Sequence, residues 1–287
     1  MTYNQQFQNR DPRMAQTLMA PGYVDLNGID EVIEDCKSYD MTGYRFIKFV
    51  SDDTHNGATT STTDWPVFRY PEILLTYAEA KAELGTLTPE DIALTVDVVR
   101  DRVGMPNIDM LAANANPDPY LCAPETGYRN VTGPNKGVIL EIRRERTIEL
   151  LLEGFRYYDI IRWKEGKMFE QPFLGMYFPG LTQGSGDNRY DVFDMNDGIA
   201  GDKEKVDICI YTGKKPSVKN IRKFYKLGDE FVLTDGDKGN IICHDIEKEP
   251  RQWNEERDYF FPIPTTERSL TNGALTQNPG WNDGLDF

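Results

Sequence analysis

The stretch that decides the fold is residues 136–164, KGVILEIRRERTIELLLEGFRYYDIIRWK. Its leucine and isoleucine side chains, from Ile142 to Ile161, point in nearly every direction around a helical axis. A helix that is apolar all round is a buried helix. The sequence therefore predicts one long buried helix over 136–164.

Charged side chains recur at spacings of three or four within this stretch, which places them along one helical face. They are Glu145, Glu149, Glu153, Arg156 and Asp159. A buried charge without a partner costs several kcal/mol, so these groups need partners. They are either structural ion pairs between stacked helices or the carboxylates of an active site. The sequence favours structural ion pairs.

A helical hairpin is predicted over residues 65–104. Strong helix formers follow Pro71, and Gly85 stands where a glycine ends a helix. Thr88 is a typical N-cap for a second helix, which Gly104 ends. Two helices with so short a connection pack antiparallel, as in tetratricopeptide repeats.

The remaining segments are predicted to be irregular or extended, and the entire chain to form a single domain, 1–287. The segment 1–64 is rich in loops, with an extended candidate at 44–50, and 105–135 is a loop. The segment 165–258 is a β-containing insertion, with an extended run at 206–211 and a hairpin joining 230–234 to 241–243. The segment 259–287 is a C-terminal tail. The predicted fold class is mainly α, with tetratricopeptide-like helical hairpins, long loops and a small β insertion.

Charge and hydropathy exclude two classes of function. The 287 residues include 32 basic and 47 acidic side chains, a net charge of −15. Nucleic-acid binding requires a basic footprint, and an anionic membrane surface would repel this chain. No apolar run approaches the roughly 18 residues that a spanning helix needs.

Motifs for catalysis, cofactors and metals are missing from the sequence. It contains no G-x-G-x-x-G, P-loop, H-E-x-x-H or G-x-S-x-G pattern. Cys36, Cys122, Cys209 and Cys243 stand far apart, without a C-x-x-C pair, and could be disulfides or buried thiols. We therefore predict no catalytic residues, no cofactor and no metal site.

Several short motifs follow one another in a recognisable order. They are Asn9-Arg10-Asp11-Pro12-Arg13, Thr42-Gly43-Tyr44 with Lys48, Arg69 to Ala80, Val99 to Gly104, Glu145-Arg146, Glu149-Leu150, Glu153 to Arg156, Asp159 to Trp163, Pro262-Ile263-Pro264 and Gln277 to Trp281. Together they resemble the C-terminal half of the SusD/RagB family of outer-membrane nutrient-binding lipoproteins. Only the 165–258 segment is left unmatched.

The resemblance implies a function as well as a fold. Members of this family are built on tetratricopeptide-like hairpins and lie on the surface of Bacteroidetes-type bacteria, anchored by a lipidated cysteine. They cap a SusC-like TonB-dependent transporter and deliver glycans, or in some members peptides, without catalysing a reaction. The implied localisation is the cell outer membrane, surface-exposed.

The chain departs from the family pattern at its N-terminal side. The family's N-terminal half, signal peptide and lipobox are not found, and Cys36 lies too far along the chain to be the anchor. The sequence is therefore expected to be a fragment of a longer protein.

Glycan recognition needs aromatic faces for stacking on sugar C–H groups. The candidate ligand-binding residues are aromatics of the irregular segments, namely Tyr39, Tyr44, Trp65, Tyr120 and Tyr128, with Tyr177 and Tyr190 as further candidates. Two alternatives stay open. One is a tetratricopeptide-type interaction scaffold whose only partner is the transporter, and the other is a carboxylate-dependent glycoside hydrolase.

Overall fold

The computed structural model describes residues 3–26, 42–52, 54–55, 59–178, 180, 193–194, 208–211, 223–229, 232–243 and 249–285. The chain divides into two compact units. The mixed unit comprises Met1–Trp65 and Pro172–Asp245, and the helical unit comprises Pro66–Gln171 and Ile246–Phe287. Within the predicted β-containing insertion, Pro172–Asp245 shares the mixed unit with the N-terminal segment.

The described chain is mainly helical, as predicted. The helices are α1 (Tyr3–Gln6), α2 (Pro12–Thr17), α3 (Tyr70–Glu83), α4 (Pro89–Leu94), α5 (Val96–Asp101), α6 (Met110–Ala115), α7 (Pro119–Cys122), α8 (Lys136–Glu149), α9 (Phe155–Arg162) and α10 (Thr265–Leu270), with a 3₁₀ turn at Gly166–Glu170. The strands are β1 (Leu174–Phe178), β2 (Phe193–Asp194), β3 (Ile208–Tyr211), β4 (Lys223–Lys226) and β5 (Gly239–Ile242). Within these residues no helix combines the length and apolar character needed to cross a bilayer.

The predicted hairpin forms in the helical unit, with one difference. Gly85 and Gly104 end their helices at positive φ, and Thr88 caps α4 through a reciprocal capping box with Asp91. The second helix is interrupted at Thr95, whose backbone leaves the helical region at φ −128° and ψ −85°. The predicted single helix is therefore two short helices, α4 and α5.

The predicted long helix over 136–164 is wrong in one respect, because it is two helices. Leu152 and Gly154 adopt φ values of 66° and 86°, which a right-handed helix cannot contain. Glycine takes this conformation at little cost, so α9 can begin after Gly154. The apolar pattern continues across the break and does not show it.

The core of the helical unit forms where α8 packs against α3 and α6. Leu75 and Ala78 of α3 and Leu140 and Ile142 of α8 are fully buried. A Cβ atom on Gly137 would lie 1.8 Å from a backbone oxygen of α6, so only glycine permits this approach. The interior position of α8 follows from its apolar surface.

The mixed unit contains two small sheets. Strands β1 and β5 are antiparallel, with Tyr177 opposite Asn240, and β2, β3 and β4 are parallel in that order. The predicted 230–234 and 241–243 pairing is represented by an isolated bridge between Leu233 and Ile241. The extended candidate at 44–50 is wrong: only Phe46 forms a bridge there.

Two other segments predicted as irregular contain short helices. The loop at 105–135 includes α6 and α7, each begun by an aspartate that accepts backbone hydrogen bonds, Asp109 and Asp118. The tail at 259–287 contains α10. Side-chain capping explains α6 and α7, which are too short to show a hydrophobic period, whereas α10 begins after Pro264 without a side-chain cap.

The structure describes the side chains of two of the four cysteines. Cys122 and Cys243 are thiols in the structure. Cys36 and the side chain of Cys209 lie outside the described residues. Across the described ranges, no three histidine, cysteine or acidic side chains are grouped to hold a metal ion.

Candidate functional site

A cavity of about 460 Å³ lies in the mixed unit. Its lining side chains come from α1, the α1–α2 connection, α2, the segment after Gly43, β1 and β5. They are Gln6, Arg10, Met14, Tyr44, Tyr177 and Asn240. The volume falls in the range of about 300–1,000 Å³ usual for small-molecule sites.

The buried side-chain amide of Gln6 forms hydrogen bonds with two other residues of the cavity wall. Its Oε1 accepts hydrogen bonds from the Tyr44 hydroxyl at 2.5 Å and from the Tyr177 backbone N–H at 3.0 Å. Its Nε2 donates to the Tyr177 carbonyl at 2.9 Å. One glutamine therefore fixes the first helix of the chain and Tyr44 to strand β1.

The Thr42-Gly43-Tyr44 element positions the Tyr44 ring. The Thr42 hydroxyl oxygen accepts from the Tyr44 N–H at 3.1 Å, and Gly43 has φ +76°. A Cβ on Gly43 would lie 2.6 Å from the Met176 sulfur, so the turn requires glycine. Burial raises the pKa of the Tyr44 hydroxyl, although the charge of Arg10 opposes this.

Arg10 is presented by a turn that the sequence motif explains. Asn9 adopts φ 54°, a left-handed conformation that asparagine tolerates. Asp11 caps α2 and binds both the backbone N–H and the guanidinium of Arg13. Arg10 itself is exposed and donates from Nε to the Gln6 carbonyl at 3.0 Å.

The opposite wall comes from the β1–β5 pair. Asn240 donates from Nδ2 to the Gly175 carbonyl at 2.8 Å, and its backbone N–H donates to the Thr234 hydroxyl at 3.1 Å. Tyr177 and Asn240 are both half-buried. The cavity thus combines two tyrosine side chains with amide and guanidinium groups, which can bind a ligand bearing hydroxyls and apolar faces.

Two of the predicted ligand-binding aromatics, Tyr44 and the further candidate Tyr177, line the cavity. Trp65 is 60% exposed and packs on Phe49 with ring centroids 4.9 Å apart, and Tyr120 is 65% exposed in α7; neither lines the cavity. Tyr39 lies outside the described residues, as does the further candidate, Tyr190.

The expectation for Tyr128 is wrong, because its side chain is only 3% exposed. Its ring meets Trp163 edge-on at 5.5 Å, and its hydroxyl accepts from Arg156 at 2.9 Å. The guanidinium of Arg143 lies 5.3 Å from the same ring. A ring covered in this way cannot stack on a sugar.

Four carboxylates of the charged row in 145–159 lie against arginines of the helical unit. The contacts are Glu145 with Arg100 at 2.9 Å, Glu149 with Arg69 at 3.0 Å and Arg102 at 2.8 Å, Glu153 with Arg69 at 2.7 Å, and Asp159 with Arg146 at 2.8 Å and Arg162 at 2.9 Å. All four residues are buried. This is the geometry of structural ion pairs.

Arg156 departs from the ion-pair interpretation. Within the described part of the chain it donates to the hydroxyls of Tyr128 and Thr147, both at 2.9 Å, and to no carboxylate. Its side chain belongs to a hydroxyl-containing cluster beside the ion pairs.

Glu79 and Glu165 are buried acids outside the predicted charged row. Glu79 accepts from the guanidinium of Arg162 and from the Trp163 indole N–H at 2.6 Å. Burial opposes its ionisation, but these hydrogen bonds outweigh burial and hold the pKa of Glu79 below its usual value. Glu165 accepts from the backbone N–H groups of Arg129 and Asn130, both at 2.9 Å.

Sequence reasoning missed Gln6, Arg10, Met14 and Asn240 as cavity residues. The sequence offers one signal, for Arg10. In Asn9-Arg10-Asp11-Pro12-Arg13, Asp11 is the N-cap of a helix and Arg10 directly precedes it. Gln6 and Asn240 gave no signal, since their role depends on contacts across the chain.

Fold and cavity define a mainly helical protein with a small polar, aromatic-containing cavity. The chain belongs to the SusD family, whose family model matches residues 1–281. The predicted family and fold class are therefore confirmed.

Solved structures similar to the chain include two SusD-like proteins. A SusD-like protein from Bacteroides fragilis has a TM-score of 0.57 and 21% identity, over 98% of this chain and 41% of that one. A SusD-like carbohydrate binding protein from the same organism has a TM-score of 0.47 and 27% identity, over 61% of this chain and 33% of that one. This chain thus spans less than half the length of either, and no curated protein matches it significantly.

Proposed function

We propose that this protein captures oligosaccharides in the cavity of the mixed unit and passes them to a SusC-like TonB-dependent transporter. Membership of the SusD family over residues 1–281 supports a role in nutrient binding. The observation that carries the proposal is the cavity itself, where Tyr44 and Tyr177 stand beside amide and guanidinium groups.

The chemistry of this lining suits a sugar. A pyranose ring has an apolar C–H face, on which a tyrosine ring can stack, and a rim of hydroxyls. The Arg10 guanidinium donates hydrogen bonds, and the Asn240 amide can accept as well as donate. The cavity is therefore equipped for binding through contacts of both kinds.

Binding without catalysis is part of the proposal. Glycoside hydrolysis uses a pair of carboxylates flanking the scissile bond. None of the six described side chains that line the cavity is acidic. The enzyme alternative has no support from this site.

Calorimetric titration with a panel of oligosaccharides and oligopeptides tests the proposal. We expect heat with one class of glycan, and Tyr44→Ala should weaken binding about tenfold or more, the value of one lost aromatic contact of about 1.4 kcal/mol. Tyr120→Ala is the matched control, because Tyr120 is an exposed tyrosine outside the cavity. Equal weakening by the two variants, or no heat with any glycan, would contradict the proposal.

Outer-membrane localisation and the transporter are tested in cells. A surface-accessible protein should be labelled by an impermeant reagent on intact cells and should co-purify with a TonB-dependent transporter. Labelling only after lysis would contradict this part of the proposal.

An interaction scaffold is a second candidate, favoured by an exposed apolar row on the helical unit. Tyr70, Ile73, Tyr77 and Leu84 follow one another at spacings of three, four and seven along α3 and its C-terminal end, and all four are exposed. If the glycan and peptide panel is silent while the transporter binds, this candidate replaces the first.

A further inference from the structure

Among the described residues that line the cavity there is a cation but no acid. Of these six side chains, Arg10 alone is charged. The protein as a whole carries 47 acidic and 32 basic side chains. A lining whose one charged described side chain is an arginine is therefore the opposite of what the overall composition favours.

The nearest acid in sequence does not neutralise Arg10. Asp11 is bound to Arg13, with 2.9 Å between Oδ1 and Nε and 2.6 Å between Oδ2 and Nη2. This pair is largely buried, with side chains 15% and 5% exposed. Asp11 also caps α2. Its carboxylate is therefore held away from Arg10 by its bonds to the Arg13 guanidinium and by the cap hydrogen bond to the backbone.

The guanidinium of Arg10 is oriented but not saturated. Its Nε donates to the Gln6 carbonyl at 3.0 Å, which fixes one edge of the planar group. Its two terminal nitrogens make no hydrogen bond or ion pair with any residue that the structure describes. Two parallel N–H donors of this kind match the two oxygens of a carboxylate or sulfate.

The rest of the cavity would hold the sugar that bears such a group. The Tyr44 hydroxyl is tied to Gln6, so its ring cannot swing away. Asn240 is held by Gly175 through Nδ2. A fixed ring, a fixed amide and an oriented guanidinium together define three points of contact in about 460 Å³.

We infer that the cavity selects a glycan carrying an anionic group, a uronic acid or a sulfate ester, which Arg10 binds through its two terminal nitrogens. The inference rests on the proposed function, that the cavity takes a glycan, and adds the chemical class. Charge-assisted hydrogen bonds are about twice as strong as neutral ones, so the anion would dominate selectivity.

Matched ligands test the charge without changing the sugar. Titrations would compare oligogalacturonate with its neutral methyl ester, and a carrageenan oligosaccharide, which carries sulfate but no uronic acid, with its neutral desulfated form. These two pairs also separate the carboxylate from the sulfate source. We expect the anionic member of one pair to bind at least about tenfold tighter, and the difference to shrink at high salt because charges are screened.

Variants then locate the effect. Arg10→Gln should abolish the preference for the anionic ligand, and Arg10→Lys should retain part of it because the charge remains without the planar fork. Arg129→Gln is the matched control: Arg129 is exposed and also donates from Nε to a backbone carbonyl, that of Pro124 at 2.9 Å. It should leave both affinities unchanged.

The outcomes separate the inference from the proposed function. Equal binding of the anionic and neutral members of both pairs by the wild-type protein, or a preference that survives Arg10→Gln, overturns the inference. If a neutral glycan binds and Tyr44→Ala weakens it, the proposed function still stands. Silence with every glycan overturns both. If circular dichroism shows that Arg10→Gln does not fold, the ligand pairs measured with the wild type and with Arg10→Lys still test the inference.

Discussion

Replacement of Arg69 by methionine tests whether the buried carboxylates of the helical unit depend on their arginines. Arg69 donates to both oxygens of Glu153, at 2.7 and 2.8 Å, and to Glu149 at 3.0 Å. The side chain of Glu153 is only 2% exposed. These hydrogen bonds outweigh the burial of Arg69 and raise its pKa, so the cation is present at any accessible pH.

The expected loss follows from what the substitution leaves behind. Removing one partner of a buried ion pair costs about 3–5 kcal/mol, since the other charge stays buried. Arg69 is 27% exposed, and Glu149 keeps Arg102, so we expect the lower end, about 3 kcal/mol. At about 2–4 °C per kcal/mol, the melting temperature should fall by about 6–12 °C.

Arg102→Met is the matched control, because Arg102 also binds Glu149, at 2.8 Å, but its side chain is 51% exposed. An exposed pair is worth less than about 1 kcal/mol. Urea denaturation of the wild type and both variants measures the difference. If Arg69→Met lost no more stability than Arg102→Met, the buried Arg69 pairs would not stabilise the helical unit.

Three other changes test the local structure. Thr88→Ala should cost about 1 kcal/mol in urea denaturation because it removes the N-cap of α4, whereas Thr86→Ala, at an exposed position outside the cap, should be near neutral. Gly43→Ala should cost about 1–3 kcal/mol and weaken glycan binding, since its Cβ meets Met176 and φ is positive; an unchanged melting temperature would refute the geometry. Glu79 has a pKa below its usual 4.5, so its stabilising contribution is complete above that pH and is lost as the pH falls through the lowered value. The stability difference between wild type and Glu79→Gln should accordingly be constant near neutrality and shrink in acid; growth in acid would contradict the assignment.

Local signals in the sequence were enough for the helical hairpin. Thr88, Gly85 and Gly104 each act through a few neighbouring residues, so a cap or a left-handed glycine is visible without the fold. The break at Leu152 was not visible, because a leucine at positive φ is held there by its surroundings rather than by its own preference.

The cavity could not be predicted for a related reason. Gln6 and Tyr177 are 171 positions apart, yet their hydrogen bonds form the wall of the site. Tyr44 was found because glycan recognition needs aromatic rings, while Tyr128 satisfied the same rule and is buried. Residue type indicates the chemistry a side chain can perform, and only the tertiary contacts determine whether a ligand can reach it.

The absence of hydrolysis is the prediction that most directly separates a receptor from an enzyme. The carboxylates most suited to acid–base chemistry by sequence, Glu145, Glu149 and Glu153, each accept hydrogen bonds from a buried or half-buried arginine. A buried carboxylate whose oxygens already accept hydrogen bonds from a guanidinium is not placed to pass a proton to a leaving sugar. The lining residues that the structure describes offer no acid in their place. Prolonged incubation with the glycan that binds should therefore return it unshortened by mass spectrometry, and release of smaller sugars that stops in Glu145→Gln would refute the assignment of these groups to structure alone.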